Sequence, residues 1–178
     1  PTDLGHKMIA DLICNLLDTE YSYYKKLGAE KKPSLPEPFT ASRYEDAQRF
    51  QNYSCSPVME GFEPDTHAAE QWSDPFKGGW IAHKQGSCIK FNVSGGIIMV
   101  QYRKTINKPA PVAYAVIDGD RQNKVLLDAN FDEDWGDLCC LEEIYSGAKG
   151  EHTVEIVIDT EGKENSDFML ISVITANK

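Results

Sequence analysis

The feature that most restricts the fold of this chain is its hydrophobic period. From residue 87 onward, apolar side chains recur at every second position in seven short segments: "SCIKFNV" (87–93), "GIIMVQYRK" (96–104), "APVAYAVID" (110–118), "KVLLDA" (124–129), "LCCLEEIY" (138–145), "HTVEIVID" (152–159) and "DFMLISVIT" (167–175). Successive side chains of a strand point to opposite sides, so this alternation is the pattern of strands with one face in a core. In "HTVEIVID", Val154, Ile156 and Ile158 share one face, and Thr153, Glu155 and Val157 share the other. Ser94-Gly95-Gly96, Asp118-Gly119-Asp120 and Glu161-Gly162-Lys163 are predicted to connect strand to strand as tight turns. The pattern therefore predicts an antiparallel β-sandwich. Residues 39–86 are less decided: "RYEDAQRFQNYSC" suits a strand or a short helix, and "EGFEPDTHAAEQWSDPFKGG" reads mostly as loop.

Near the N-terminus the period is 3.6. Leu4, Met8, Ile9, Leu12, Ile13, Leu16 and Leu17 follow i, i+3, i+4, i+7 spacing behind the cap-capable Thr2 and Asp3, which predicts an amphipathic helix ending near Gly28. "AEKKPSLPEP" is too rich in Lys, Glu and Pro for regular structure. The expected organisation is a terminal helix over 1–27, a linker over 28–38 and a sandwich over 39–178.

A chain of 178 residues with 41% hydrophobic content can bury a core of its own. Its net charge of −10, with no Lys/Arg cluster, would repel a phosphate backbone, so nucleic acid is not an expected partner. No window approaches the roughly 20 apolar residues of a membrane helix, and a membrane is not an expected partner either. Cys14, Cys55, Cys88, Cys139 and Cys140 lack the spacing of a zinc site and the density of a disulfide framework, and most are expected to be reduced and buried. Cys139 and Cys140, adjacent on a strand, would face opposite sides.

The opening "PTDLGHKMIADLI" resembles the C-terminal block of SGNH/GDSL hydrolases, a superfamily of esterases and lipases. Pro1-Thr2 and Gly5-His6 match the part of that block that follows the catalytic Asp-x-x-His. The resemblance implies that residues 1–27 are the last helix of a hydrolase domain, with the catalytic His and Asp upstream of Pro1. The chain has no Gly-Asp-Ser-Leu block and no Gly-x-Asn-Asp block. Without an activated hydroxyl and oxyanion donors it cannot run that chemistry, and His6 is expected to be structural.

Residues 80–176 are similar to the galactose-binding-like, jelly-roll sandwiches that accompany SGNH carbohydrate esterases. Phe91, Gly95, Tyr102, Asp118-Gly119 and Gly150-Glu151-His152-Thr153-Val154 occur in the order of that pattern. The sandwich usually precedes the hydrolase in those enzymes, whereas here it follows, so residue roles are not carried over. The resemblance implies a mainly β fold, an antiparallel jelly-roll-like β-sandwich preceded by one amphipathic α-helix. It also implies an accessory, non-catalytic role beside an esterase that deacylates a carbohydrate.

Two readings of the sandwich stand side by side. In the first it binds carbohydrate, which is held by aromatic faces against C–H patches and by carboxylate or amide hydrogen bonds. "NFDEDWGD" places Trp135 beside Asp134, Trp72 and Trp80 flank the Gly-rich approach to the strands, and His83, with His67, is a further candidate; the alternative is that Trp80 is a core or edge residue and only Trp135 is exposed. In the second it only supports the hydrolase cleft. An autonomous enzyme using Asp65-Thr66-His67 or Asp118-Gly119-Asp120 ranks below both. Asp128, Asn130, Asp132 and Asp134 alternate like the ligands of a calcium loop, although Glu133 stands where such a loop needs Gly. Asn52-Tyr53-Ser54 and Asn92-Val93-Ser94 fit the glycosylation sequon. The expected partners are a carbohydrate, an upstream hydrolase domain and, through the helix stripe, a second copy of the chain.

Overall fold

The structure, a computed structural model, describes residues 2–26, 28, 39–67, 74–160 and 165–177. Trp72, linker residues 29–38 and the expected turn at 161–163 lie outside the described residues. The chain divides into two compact units, Pro1–Ala41 and Ser42–Lys178.

The first unit contains α1, Asp3–Lys26. Thr2 Oγ1 accepts the Gly5 N–H at 3.3 Å, Lys7 pairs with Asp11 one turn on, and Lys25 and Lys26 sit where the helix dipole favours cations. The Gly28 N–H donates to the Lys25 carbonyl with φ at +58°, a left-handed residue that stops the helix. The apolar stripe from Leu4 to Leu17 is exposed along its length.

Among the described residues the second unit has nine strands: β1 Glu45–Phe50, β2 Val58–Glu60, β3 Phe62–Pro64, β4 Trp80–Ala82, β5 Cys88–Lys104, β6 Val112–Ile117, β7 Val125–Asp128, β8 Leu138–Ile158 and β9 Phe168–Asn177. All pairings between them are antiparallel. The undecided segment after residue 43 is the strand β1, paired with β9.

The expected turn at Ser94-Gly95-Gly96 is not a turn, and the gap between the segments 138–145 and 152–159 is also strand. β5 is continuous over 17 residues and β8 over 21, where the pattern predicted two strands each. A straight 17-residue strand would run about 55 Å, too long for one layer, so each strand bends and serves both layers. The first half of β5 pairs with β2 and the second half of β8, whereas its second half pairs with β9 and the first half of β8. Gly95 faces Gly150 across the bend, and register shifts fall at Gly95/Ile97 and Ile98/Met99. Irregularities of this kind bend a strand and switch which residues face inward. The inward residues are accordingly Ile89, Phe91 and Val93 before the bend but Ile98, Val100 and Tyr102 after it. Asp118-Gly119, by contrast, is a genuine turn with φ of +51° and +77°.

The core combines those six residues with Val154, Ile156 and Ile158 of β8, Leu170 and Val173 of β9, and the stacked pair Tyr102 and Phe168. Val154, Ile156 and Ile158 share the buried face that alternation predicted. Cys140 packs on this core while Cys139 packs with Ile81, Met169 and Ile171, so the adjacent cysteines do occupy opposite faces. All five cysteines are free; Cys14 is exposed and the other four are half-buried. Burial pushes the Cys88 thiol up to about 11, which keeps it protonated and unreactive near neutral pH.

Candidate functional site

The segment between β7 and β8 presents the most exposed tryptophan among the described residues. Its base is pinned. Asp128 Oδ1 accepts both the Asn130 N–H (2.9 Å) and the Asn130 Nδ2–H (2.6 Å), and Asn130 in turn bonds both backbone groups of Ala110. The Thr105 backbone donates to the Ala129 carbonyl and accepts from the Phe131 N–H. From this base Phe131 and Trp135 meet edge to face, with centroids 5.1 Å apart at 86°, and Trp135 stays 63% exposed. Gly136, at φ +136°, makes the turn that returns the chain to β8. The loop therefore holds a large aromatic ring in a fixed place with a face open to solvent and Asp134 beside it in sequence, a geometry suited to stacking on a sugar.

Two of the acidic positions that alternate like calcium ligands already have partners. The Asp128 carboxylate is engaged by Asn130, and Asp132 is paired with Lys108, whose charge and hydrogen bond hold the Asp132 carboxyl below its ordinary range. Asp128, Asp132 and Asp134 do not converge, and among the described residues no three His, Cys, Asp or Glu side chains are grouped to hold a metal ion.

Trp80 does not belong to a ligand surface. It is 1% exposed, edge-on to Phe91 at 5.1 Å and in the core cluster. The cause is the glycine before it: a Cβ on Gly79 would overlap the Leu170 carbonyl oxygen, so β4 lies tightly against β9 and turns its tryptophan inward. His83 is at the end of β4, with Nδ1 2.6 Å from Asp167 Oδ1 and Nε2 3.1 Å from Glu63 Oε1. These two carboxylates raise the imidazole pKa. His83 lines a cavity of about 220 Å³ with Ser166 and Asp167, whose walls include neither Trp135 nor Asp134. The structure thus leaves Trp135 exposed, with Asp134 next to it in the chain, and sets His83 apart.

The other candidate acid–base groups have structural partners. His67 Nδ1 is 2.8 Å from the buried Asp65 Oδ1. Asp118 receives the Thr153 N–H and pairs with His152, which lowers its pKa, and Asp120 caps the 3-10 turn Arg121–Asn123.

Sequence reasoning missed a second surface, on the face of β5 and β9 opposite the core. Arg49, Gln51, Tyr53, Asp74, Lys77 and Gln101 line a groove of about 360 Å³. The signal was the spacing in "RFQNY", where Arg49, Gln51 and Tyr53 alternate with Phe50, but the segment's ambiguity between strand and helix hid it.

No family model matches the chain, and no curated protein does. Among solved structures, a two-domain esterase active on acetylated mannans, co-crystallized with mannopentaose, is similar at 41% identity and a TM-score of 0.77, covering 100% of this chain and 47% of that one. A second structure of a two-domain esterase active on acetylated mannans gives 40% identity, a TM-score of 0.78 and coverage of 100% and 48%. The chain thus spans about half the length of the esterases it matches. A family two carbohydrate esterase from Cellvibrio japonicus shares the fold alone, at 14% identity and a TM-score of 0.51 over 75% of this chain and 34% of that one. The resemblance read from the sequence, to a carbohydrate esterase that includes a β-sandwich, is borne out by these matches, and the mainly antiparallel β class preceded by one helix is that of the structure itself.

Proposed function

We propose that the sandwich is a non-catalytic accessory domain that holds an acylated polysaccharide, with acetylated mannan the first candidate, for an esterase domain of the same protein. The observation that carries this reading is the full-length likeness, at 41% identity, to half of a two-domain esterase active on acetylated mannans. The chemistry of the Trp135 loop supports it. A fixed, exposed indole beside a carboxylate offers a C–H stacking face and a hydroxyl acceptor together. The test is retention of the chain on a gel of immobilised acetylated mannan. Wild type is retarded, and Trp135→Ala, which leaves the far-UV circular dichroism unchanged, elutes with the void. Equal retention of the two proteins, or none of either, refutes the Trp135 assignment.

One observation favours a supporting role as well. α1 exposes Leu4, Met8, Ile9, Leu12, Ile13, Leu16 and Leu17 on one stripe. An apolar stripe of that length marks a contact surface, and its proposed occupant is the hydrolase domain whose closing helix this segment resembles. Self-association through the same stripe is the competing occupant.

A further inference from the structure

We propose that the groove lined by Arg49, Tyr53, Asp74 and Gln101 is a second sugar site, taking one pyranose unit of the polysaccharide; this rests on the carbohydrate-binding reading above but not on Trp135. The groove has a built floor. Ser172, fully buried, accepts the Arg49 Nε–H at 3.1 Å and donates its hydroxyl to Gln101 Oε1 at 2.7 Å. This relay fixes both longer side chains by their inner atoms. Among the described residues nothing engages the terminal nitrogens of Arg49 or the amide nitrogen of Gln101, so up to six N–H donors are left for a ligand.

The opposite wall is also fixed. Gln51, 5% exposed, donates to the carbonyls of Lys77 (3.0 Å) and Ile171 (3.4 Å) and accepts the Tyr53 hydroxyl at 2.6 Å. The Tyr53 ring is thereby held at the groove by its phenol while remaining 78% exposed. Gly78, at φ +81°, lies close enough to Gln51 and Tyr53 that a Cβ would crowd both. Asp74 uses Oδ1 for the Phe76 N–H, leaving Oδ2 as an acceptor.

This combination selects a ligand class. Fixed donors from a guanidinium and an amide, one carboxylate acceptor and an aromatic face match a ring of hydroxyls with a C–H surface. Asp74 offsets one of the two positive charges, Arg49 and Lys77, that line the groove, and 360 Å³ is at the small end of ligand pockets, the size for a terminal or single unit of a chain. Cys139 forms part of the wall at the start of β8, immediately after the loop that carries Trp135.

The experiment is a titration of the ¹⁵N-labelled chain with mannopentaose, following the side-chain N–H signals of Arg49, Gln101 and Trp135 as separate reporters. The expected result is a saturable shift of the Arg49 and Gln101 signals, with Tyr53→Ala weakening the affinity read at those two reporters about 2- to 10-fold. Because Tyr53→Ala also removes a buried hydrogen bond, Gln101→Ala serves as a second variant and abolishes the Arg49 shift. A shift at Trp135 alone overturns the groove and leaves the carbohydrate reading standing. Shifts at Arg49 and Gln101 with Trp135 unmoved support the groove and reject the loop. No shift at any reporter overturns both.

Discussion

All three tryptophans of this chain are candidate sugar contacts in sequence, and the structure assigns opposite energetic roles to the two it describes. Truncating them separates those roles. Burying an aromatic side chain removes about 150–250 Å² from water, about 4–6 kcal/mol at ~25 cal/mol per Å². Trp80, 1% exposed, realises nearly all of this and adds an edge-to-face contact with Phe91. Trp80→Ala should therefore cost about 3–5 kcal/mol, the usual range for a large aromatic cut from a core. Trp135 hides only a little over a third of its surface, and Trp135→Ala should cost about 1–2 kcal/mol as an upper value, since the unfolded chain already covers part of that area. Urea unfolding followed by far-UV circular dichroism, which does not depend on the tryptophans as reporters, gives both differences at constant slope. A loss of 3–5 kcal/mol can exhaust the stability of a small domain, so Trp80→Phe, at a cost of about 2 kcal/mol, keeps the comparison measurable. Trp80→Ala within about 1 kcal/mol of wild type, or Trp135→Ala as damaging as Trp80→Ala, refutes the placement of the two rings.

The carboxylates around His83 give a pH dependence of known sign: its folded-state pKa is raised by Asp167 and then Glu63, so its stabilisation is fully present below the unfolded value of about 6.5 and is lost as pH rises through the higher folded value. Thermal midpoints across pH 5 to 8 should fall less steeply for His83→Gln than for wild type, and identical slopes reject the contribution. For α1, sedimentation of this chain should give a monomer with or without Leu12→Glu and Leu16→Glu if the stripe is meant for a hydrolase domain; a wild-type dimer dissolved by those substitutions gives the stripe to self-association instead.

The alternating faces were legible because burial on one side of a strand imposes a period that side-chain chemistry cannot hide. Val154, Ile156 and Ile158 were assigned to the core from spacing alone and are buried. What spacing could not tell was continuity. Ser94-Gly95-Gly96 has the composition of a tight turn, yet the strand passes through it, because glycine at Gly95 accommodates the close approach of Thr175 from β9 as readily as it would a reversal. The same ambiguity explains Trp80. Whether a glycine before a tryptophan frees it into a loop or lets its strand dock closely depends on what lies opposite, here the Leu170 carbonyl, and that partner is 90 residues away in sequence.

The candidate sites were harder to read for a related reason. A list of polar residues does not say which have already used their hydrogen bonds. The acidic positions that drew attention as calcium ligands or acid–base groups are largely committed: Asp128 to Asn130, Asp118 to His152 and Thr153, Asp120 to Gln122 and Asn123. Arg49 and Gln101 drew none, yet they are held at their inner atoms and open at their outer ones. Net stabilisation by a neutral hydroxyl is modest, about 0.5–1.5 kcal/mol per bond, so a surface that binds sugar must offer several such bonds without spending entropy to assemble them. Fixed side chains with unspent donors beside an exposed ring satisfy that condition. A cluster of mutually satisfied carboxylates does not, however acidic it looks in sequence.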